Sequence, residues 1–295
     1  MSEINGIVII NKEQGFTSHD VVARVRRILS TRKVGHTGTL DPDATGVLPI
    51  CIGRGTKVSD MLTFSDKEYI ARVKLGAVTD TQDIWGTVVE ENEVTDFSGE
   101  KLADAISQFT GEISQIPPMY SAIKINGQKM CDLAREGIEV ERKPRVVNIY
   151  AIELLDIWDD GFEIRVSCSK GTYIRTLCHD IGRYLGYGAC MTSLTRTKSS
   201  IFNIQEAITL AELEATVEDG RLSQVLRPVD SVFAHLPRFD ADEEITVRMG
   251  NGAVSTVSVP CGDYRVYNPQ GEFIAVGRVE QIKQRRKIGV VKNFR

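Results

Sequence analysis

One aspartate in a loop bounded by glycines is the residue of this 295-residue chain best placed by its neighbours to do chemistry. It lies in the run His36-Thr-Gly-Thr-Leu-Asp-Pro-Asp-Ala-Thr-Gly46, where Pro42 follows Asp41. Proline fixes its own φ and pushes the residue before it into extended backbone, so Asp41 is predicted to lie outside any helix. Gly38 and Gly46 permit backbone angles that a side chain forbids. Apolar runs stand on both sides, Gly6-Ile-Val-Ile-Ile10 upstream and Val47-Leu-Pro-Ile-Cys-Ile52 directly after. A carboxylate presented from a stiff loop between buried strands suits a nucleophile or a general base. The same residues also make an Asx turn ahead of a proline, and spacing alone favours that plainer reading.

The elements that must hold this loop follow from hydrophobic periodicity. Residues 6–11 read as a buried strand, and residues 47–53 as the strand leading out of the loop. Thr17-Ser-His-Asp20 has the form of a capping box, and Val21, Val22, Val25, Ile28 and Leu29 then make one apolar helix face. Lys67 to Leu75 alternates as a half-buried strand, with Tyr69, Ala71, Val73 and Leu75 inward, and Gly86 to Glu90 is expected to return beside it. Ser98 caps a helix running to Phe109, and Pro117-Pro118 breaks the chain before a charged excursion ending at Pro144. Two strands, 145–157 and 162–168, flank the hairpin turn Asp159-Asp-Gly161. A helix over 172–185, a strand over 189–197 and a helix over 210–217 complete the larger part. Beyond Pro237, three short β-like pieces with Gly, Pro and Asn between them predict a small β-rich module. The fold class expected is α+β: a mixed, mainly antiparallel sheet with flanking helices over 1–236, then the β-rich module over 237–295.

Composition narrows the function classes. Hydrophobic content of 42% and charged content of 26% describe an ordinary protein with a sizeable core. No apolar run is long enough to span a bilayer, and the first residues lack the basic-then-apolar pattern of a secretory signal. The six cysteines form no CxxC pair, and four histidines provide no zinc-ligand spacing, so a reduced, cytoplasmic, metal-free protein is expected. The net charge of −4 argues against nucleic-acid binding, but the charge is uneven. Residues 17–33 carry Arg24, Arg26, Arg27, Arg32 and Lys33 against Asp20 alone, and Lys283 to Arg295 carries six bases and no acid. Phosphate binding responds to local potential, which leaves a basic groove on an acidic protein admissible.

Gly35 to Ile50 resembles motif II of the TruB family of pseudouridine synthases. Further matches follow in the same order: Ile9-Ile-Asn-Lys-Glu-Gln-Gly15, Lys67-Glu-Tyr69, Asp80-Thr-Gln-Asp83 with Gly86, Pro117-Pro-Met-Tyr-Ser-Ala122, Lys170-Gly-Thr-Tyr-Ile-Arg175 and Ser193-Leu-Thr-Arg196. The resemblance covers residues 5 to about 200. It departs at Glu13, where proline is common, and at Asp43, where many relatives carry an uncharged residue. It implies isomerisation of the uridine at position 55 in the T-arm loop of tRNA, with no cofactor and no metal. It implies that Asp41 is the catalytic aspartate and that Arg175 pairs with it through a bidentate guanidinium, keeping it ionised. Tyr69 is then the active-site tyrosine, stacking on the base and serving the C5 proton step, with Tyr173 walling the pocket and Leu194 beneath the pyrimidine. Lys12 is implied as a structural or phosphate-contacting base, and His36 as the residue filling the space that an extruded uridine leaves. The excursion 118–144 corresponds to an RNA-clamping insertion, expected to be mobile until tRNA binds, and 237–295 to a PUA-like RNA-binding domain. A monomer whose partner is tRNA, with no membrane association, is the expected assembly. The alternatives are a tRNA-folding chaperone, a guide-RNA-dependent synthase, and an aspartate-based nucleosidase.

Overall fold

The computed structural model describes residues 4–125 and 127–295. In chain order the first part contains β1 (Gly6–Lys12), α1 (Ser18–Ile28), β2 (Val34–His36), β3 (Thr45–Ile52), α2 (Ser59–Thr63), β4 (Lys67–Leu75), β5 (Ala77–Thr79), β6 (Val88–Glu91), α3 (Gly99–Gln108) and β7 (Gly111–Gln115). The insertion supplies β8 (Lys124–Ile125), β9 (Gln128–Lys129) and α4 (Met130–Arg135). Then come β10 (Arg145–Trp158), β11 (Gly161–Cys168), α5 (Ile174–Tyr184), β12 (Ala189–Ser199), β13 (Phe202–Asn203) and α6 (Leu210–Glu218). The last stretch holds β14 (Arg238–Asp240), α7 (Glu243–Gly250), β15 (Ser255–Val257), β16 (Gly262–Tyr267), β17 (Phe273–Ile282) and β18 (Arg285–Asn293).

A nine-stranded sheet runs β1-β3-β12-β4-β11-β10-β7, with β2 added to β3 and β13 to β12. Every pairing in it is antiparallel except β3 with β12, so the expected mixed, mainly antiparallel sheet is what forms. Successive residues of a strand face opposite ways. In β1 this sends Val8 and Ile10 into the main core with Val21, Val25, Leu48 and Ile50, and sends Ile7 and Ile9 into a second cluster on the other face. A strand buried on both faces reads as an unbroken apolar run, which is what residues 6–10 are. The capping box of α1 forms as expected: Thr17 accepts from the Asp20 amide while the Asp20 carboxylate accepts from the Thr17 amide.

A five-stranded sheet, β14-β16-β17-β18-β15, makes up the last stretch. It has its own core around Tyr264, Val266 and Ile288. It also contributes Val276 and Phe294 to the cluster under β1, where they meet Ile7, Ile9, Val47 and Cys51. Lys57 donates to the carbonyls of Asn293 and Arg295 at 3.0 and 2.9 Å, fastening the chain end to the first part.

One pairing differs from expectation. β6 does not return beside β4; it pairs with β5 in a separate two-stranded ribbon. The reason is that both edges of β4 are taken, by β11 and by β12. The short strands β7 and β14, the helix α7 and the long β18 go beyond the sequence expectation, because their periodic signals are weak and β18 is rich in bases.

Candidate active site

The Asp41 loop is fixed from several sides. Ser18, at the start of α1, exchanges hydrogen bonds with Leu40, accepting from its amide at 2.9 Å and donating to its carbonyl at 3.3 Å. The Lys12 ammonium donates to the carbonyls of Glu13, Phe16 and Pro42 at 3.0, 2.6 and 2.8 Å. Arg196 donates to the carbonyls of Val47 and Gly38 at 2.7 and 3.3 Å. Gly46 has φ +101°, and a Cβ there would lie 2.3 Å from the Arg196 carbonyl oxygen, so β3 and β12 meet only because this residue is glycine.

Lys12 therefore does not offer the phosphate contact considered for it. Its residue is 0% exposed and its donors are engaged by three carbonyls. Burial lowers this ammonium to about 8.

Asp41 and Arg175 meet as the resemblance implies, with Arg175 Nε 3.0 Å from Asp41 Oδ2. The pair is not the expected bidentate clamp. Arg175 is 6% exposed, and its Nη1 reaches a second acid, Asp83 Oδ2, at 3.1 Å. Nη1 and Nη2 also donate to backbone carbonyls, of Thr81 at 3.0 Å and of Tyr120 at 2.8 Å. One guanidinium thus ties together the aspartate loop, the loop after β5, and the base of the insertion. The balance at Asp41 changes accordingly. Withdrawal from water raises its carboxyl above the ordinary value, outweighing the pull of Arg175, and the Asp83 charge pushes the same way.

Asp80-Thr-Gln-Asp83 is part of the family resemblance, but nothing local in the sequence assigns Asp83 a role. Thr81 Oγ1 donates to its carboxylate at 2.6 Å, and Gly86 leaves room for that turn, since a Cβ there would lie 2.2 Å from Thr81 Oγ1. Gln115, at the end of β7, is a second positioning residue. Its amide group accepts from the Tyr173 amide at 3.0 Å and donates to the Tyr173 carbonyl at 3.2 Å, setting the start of α5 from which Arg175 projects. No local signal marks Gln115, because β7 was not expected.

Asp41, Tyr69, Tyr173, Arg175 and Leu194 line one cleft of about 290 Å³, joined by Lys67, Tyr120 and Arg196. Tyr69 of β4 stands opposite Arg196 of β12, and Leu194 opposite Ala71. Burial raises the Tyr69 and Tyr173 phenols, so both are neutral near pH 7. Lys67 donates to the carbonyls of Thr63 and Ser65, and burial lowers it to about 8. His36 does not line this cleft. It lies half-buried on β2 with its ring 5.4 Å from that of His19, and burial, followed by His19, lowers it below the usual histidine value.

The cleft offers a carboxylate beside a buried cation, with tyrosines and a leucine to enclose a planar ring. Comparison with known proteins gives the family. Residues 26–174 match the model of the TruB family pseudouridylate synthase N-terminal domain, and residues 175–234 match that of the tRNA pseudouridylate synthase B C-terminal domain. The chain is 44% identical over 293 residues to tRNA pseudouridine synthase B of Bacillus pumilus (strain SAFR-032), covering 95% of each. It is 46% identical over 289 residues to the protein of that name from Shouchella clausii (strain KSM-K16), again covering 95% of each. Among solved structures, a chain of an H/ACA RNP bound to a substrate RNA containing 2'-deoxyuridine superposes with TM-score 0.71 at 27% identity, over 98% of this chain and 85% of that one. A chain of a Cbf5-Nop10-Gar1 complex gives 0.72 at 28% identity with the same coverage. The chain belongs to the TruB family of pseudouridylate synthases.

Proposed function

We propose that the protein isomerises a uridine of tRNA, the one at position 55 in the T-arm loop, and that Asp41 is the group the chemistry depends on. The observation that carries this reading is the Arg175–Asp41 pair at 3.0 Å in a cleft walled by Tyr69, Tyr173 and Leu194. Isomerisation breaks the C1′–N1 bond, turns the uracil, joins C5 to C1′ and moves the C5 proton to N1, so no oxidant or phosphate donor enters. The uridine is stacked in a folded loop and must be extruded, at a few kcal/mol recovered through contacts in the cleft. Asp41 manages the charge that appears as the glycosidic bond breaks. Tyr69 stacks on the ring and its hydroxyl serves the proton step. Leu194 lies under the pyrimidine and Tyr173 closes one wall. His36 fills the gap left in the RNA, a role suited to a neutral ring at the loop edge. The insertion 118–144 clamps the T-arm and orders on it, and the module 237–295 acts as a PUA-like RNA-binding domain. The enzyme works as a cytoplasmic monomer in this reading.

Whole-length relatives near 44% identity are named tRNA pseudouridine synthase B, whereas the chains matched at 27–28% come from an H/ACA RNP and a Cbf5-Nop10-Gar1 complex, which supports a reading in which this chain acts on tRNA without a guide. The test is incubation with an unmodified tRNA transcript and no guide RNA, then mapping of the isomerised nucleotide and of tritium released from C5-labelled uridine. Product at the T-arm uridine supports the reading. A need for guide RNA, release of free uracil, or an Asp41→Asn variant that retains turnover would overturn it.

A further inference from the structure

Beside the catalytic cleft, Ile84 and Trp85 stand together at the surface, 46% and 45% exposed. Scattered exposed apolar residues need no explanation, but the loop carrying these two is pinned. Ile84 N donates to the Met191 carbonyl at 2.9 Å, Trp85 N approaches the Asp83 carboxylate at 3.3 Å, and Thr87 N donates to Asp80 at 2.8 Å. The indole is thus presented from fixed backbone by the same Asp83 that holds Arg175. Trp85 lines a groove of about 650 Å³ that shares Asp41, Tyr120 and Arg175 with the catalytic cleft. Lys129 and Arg135 of the insertion and His19 of α1 also line it, as do the acids Asp43 and Asp132, the latter paired with Arg135 at 3.1 Å.

We propose that Trp85 is a stacking platform for a nucleotide of the substrate RNA that flanks the extruded uridine. The groove shares walls with the cleft, so it offers a path for the neighbours of a base delivered to Asp41. Splayed-out bases bind by stacking on aromatic rings, with cations nearby for the backbone, and this arrangement tolerates any base. A ring held on pinned backbone loses little freedom on binding. The inference rests on the RNA-isomerase reading given above.

Trp85 and Trp158 are the two tryptophans of the chain. Trp158→Phe, at the turn between β10 and β11, leaves Trp85 as the sole indole. The full-length variant is titrated with unmodified tRNA transcript. Its fluorescence is expected to fall along the binding curve measured by filter retention, whereas a Trp85→Phe protein shows no such saturable quench. Trp85→Ala should weaken tRNA binding about five- to a hundredfold, and Trp85→Phe about threefold or less. Product from the wild-type chain on the same transcript reports separately on the parent reading: its absence would defeat the isomerase proposal. Product with an unquenched Trp85, or a Trp85→Ala protein of wild-type affinity, would defeat the stacking assignment alone.

Discussion

At the scale of the residue, the decisive arrangement is two carboxylates sharing one guanidinium. Asp41 and Asp83 approach different nitrogens of Arg175, so the arginine cannot neutralise either fully. Asp41 has a raised pKa in the folded protein, chiefly from its place in the cleft and secondarily from the Asp83 charge, and because 44% of its side chain stays exposed the effect on stability is small. A carboxyl with a raised folded pKa binds protons more readily in the native state, so its contribution to stability falls as pH rises through that window. Asp41→Asn should therefore abolish isomerisation, by about a thousandfold or more, while leaving the melting temperature at pH 7 equal to or above wild type. The gap in melting temperature should close as the pH falls toward about 4, where the unfolded carboxyl also protonates. A variant markedly less stable at pH 7 would contradict this account. In the wild-type enzyme, kcat/KM should decline on the acid side at a pH above the ordinary carboxylate range. Arg175→Ala has the opposite stability sign, because Asp83 is left with 12% side-chain exposure and no cation. Calorimetry should show a loss of about 3–5 kcal/mol, and Arg175→Lys should not restore activity, since one ammonium cannot reach the groups that a fork spans.

At the scale of the element, the site depends on the parallel seam between β3 and β12. Thr195 pairs with Thr45 and Arg196 with Gly46, which brings Leu194 and Arg196 beside the aspartate loop. Gly46 combines φ +101° with direct contact to the Arg196 backbone. Gly46→Ala should lose at least about 2–3 kcal/mol in denaturant unfolding and lower activity through the displaced loop. Wild-type stability in that variant would show that the strands can separate without consequence. Lys12 acts at the same scale, joining the end of β1 to the loop. Lys12→Met should depress kcat while leaving the salt dependence of tRNA binding unchanged, since this ammonium faces carbonyls and not solvent.

At the scale of the whole molecule, the second sheet is part of the first one's core. Phe294 and Val276 pack with Ile7 and Ile9, and burial of each such side chain is worth roughly 1.5–3 kcal/mol. Deleting residues 238–295 should therefore lower the melting temperature and solubility of the remainder, so it is not a clean test of RNA binding. Point changes are cleaner. Lys283 and Arg285 are exposed at the turn between β17 and β18. If the module grips phosphates there, Lys283→Ala and Arg285→Ala should each reduce the log–log salt slope of tRNA affinity by about one. An unaltered slope would place the RNA elsewhere.

The sequence by itself determined the aspartate loop, the capped first helix, the doubly buried first strand, the hairpin of β10 and β11, and the family. All of these rest on local rules: proline and glycine geometry, capping pairs, and the period of apolar residues. It did not determine where β6 pairs, because an alternating strand does not say whether its neighbour's edges are free. Nor did it reveal that Asp83 shares Arg175, that Gln115 sets the start of α5, or that Lys12 is enclosed by carbonyls. Those groups lie 92, 58 and 30 residues from the partners that give them meaning. Only the tertiary fold closes such distances, and with them it decides the charge balance at Asp41.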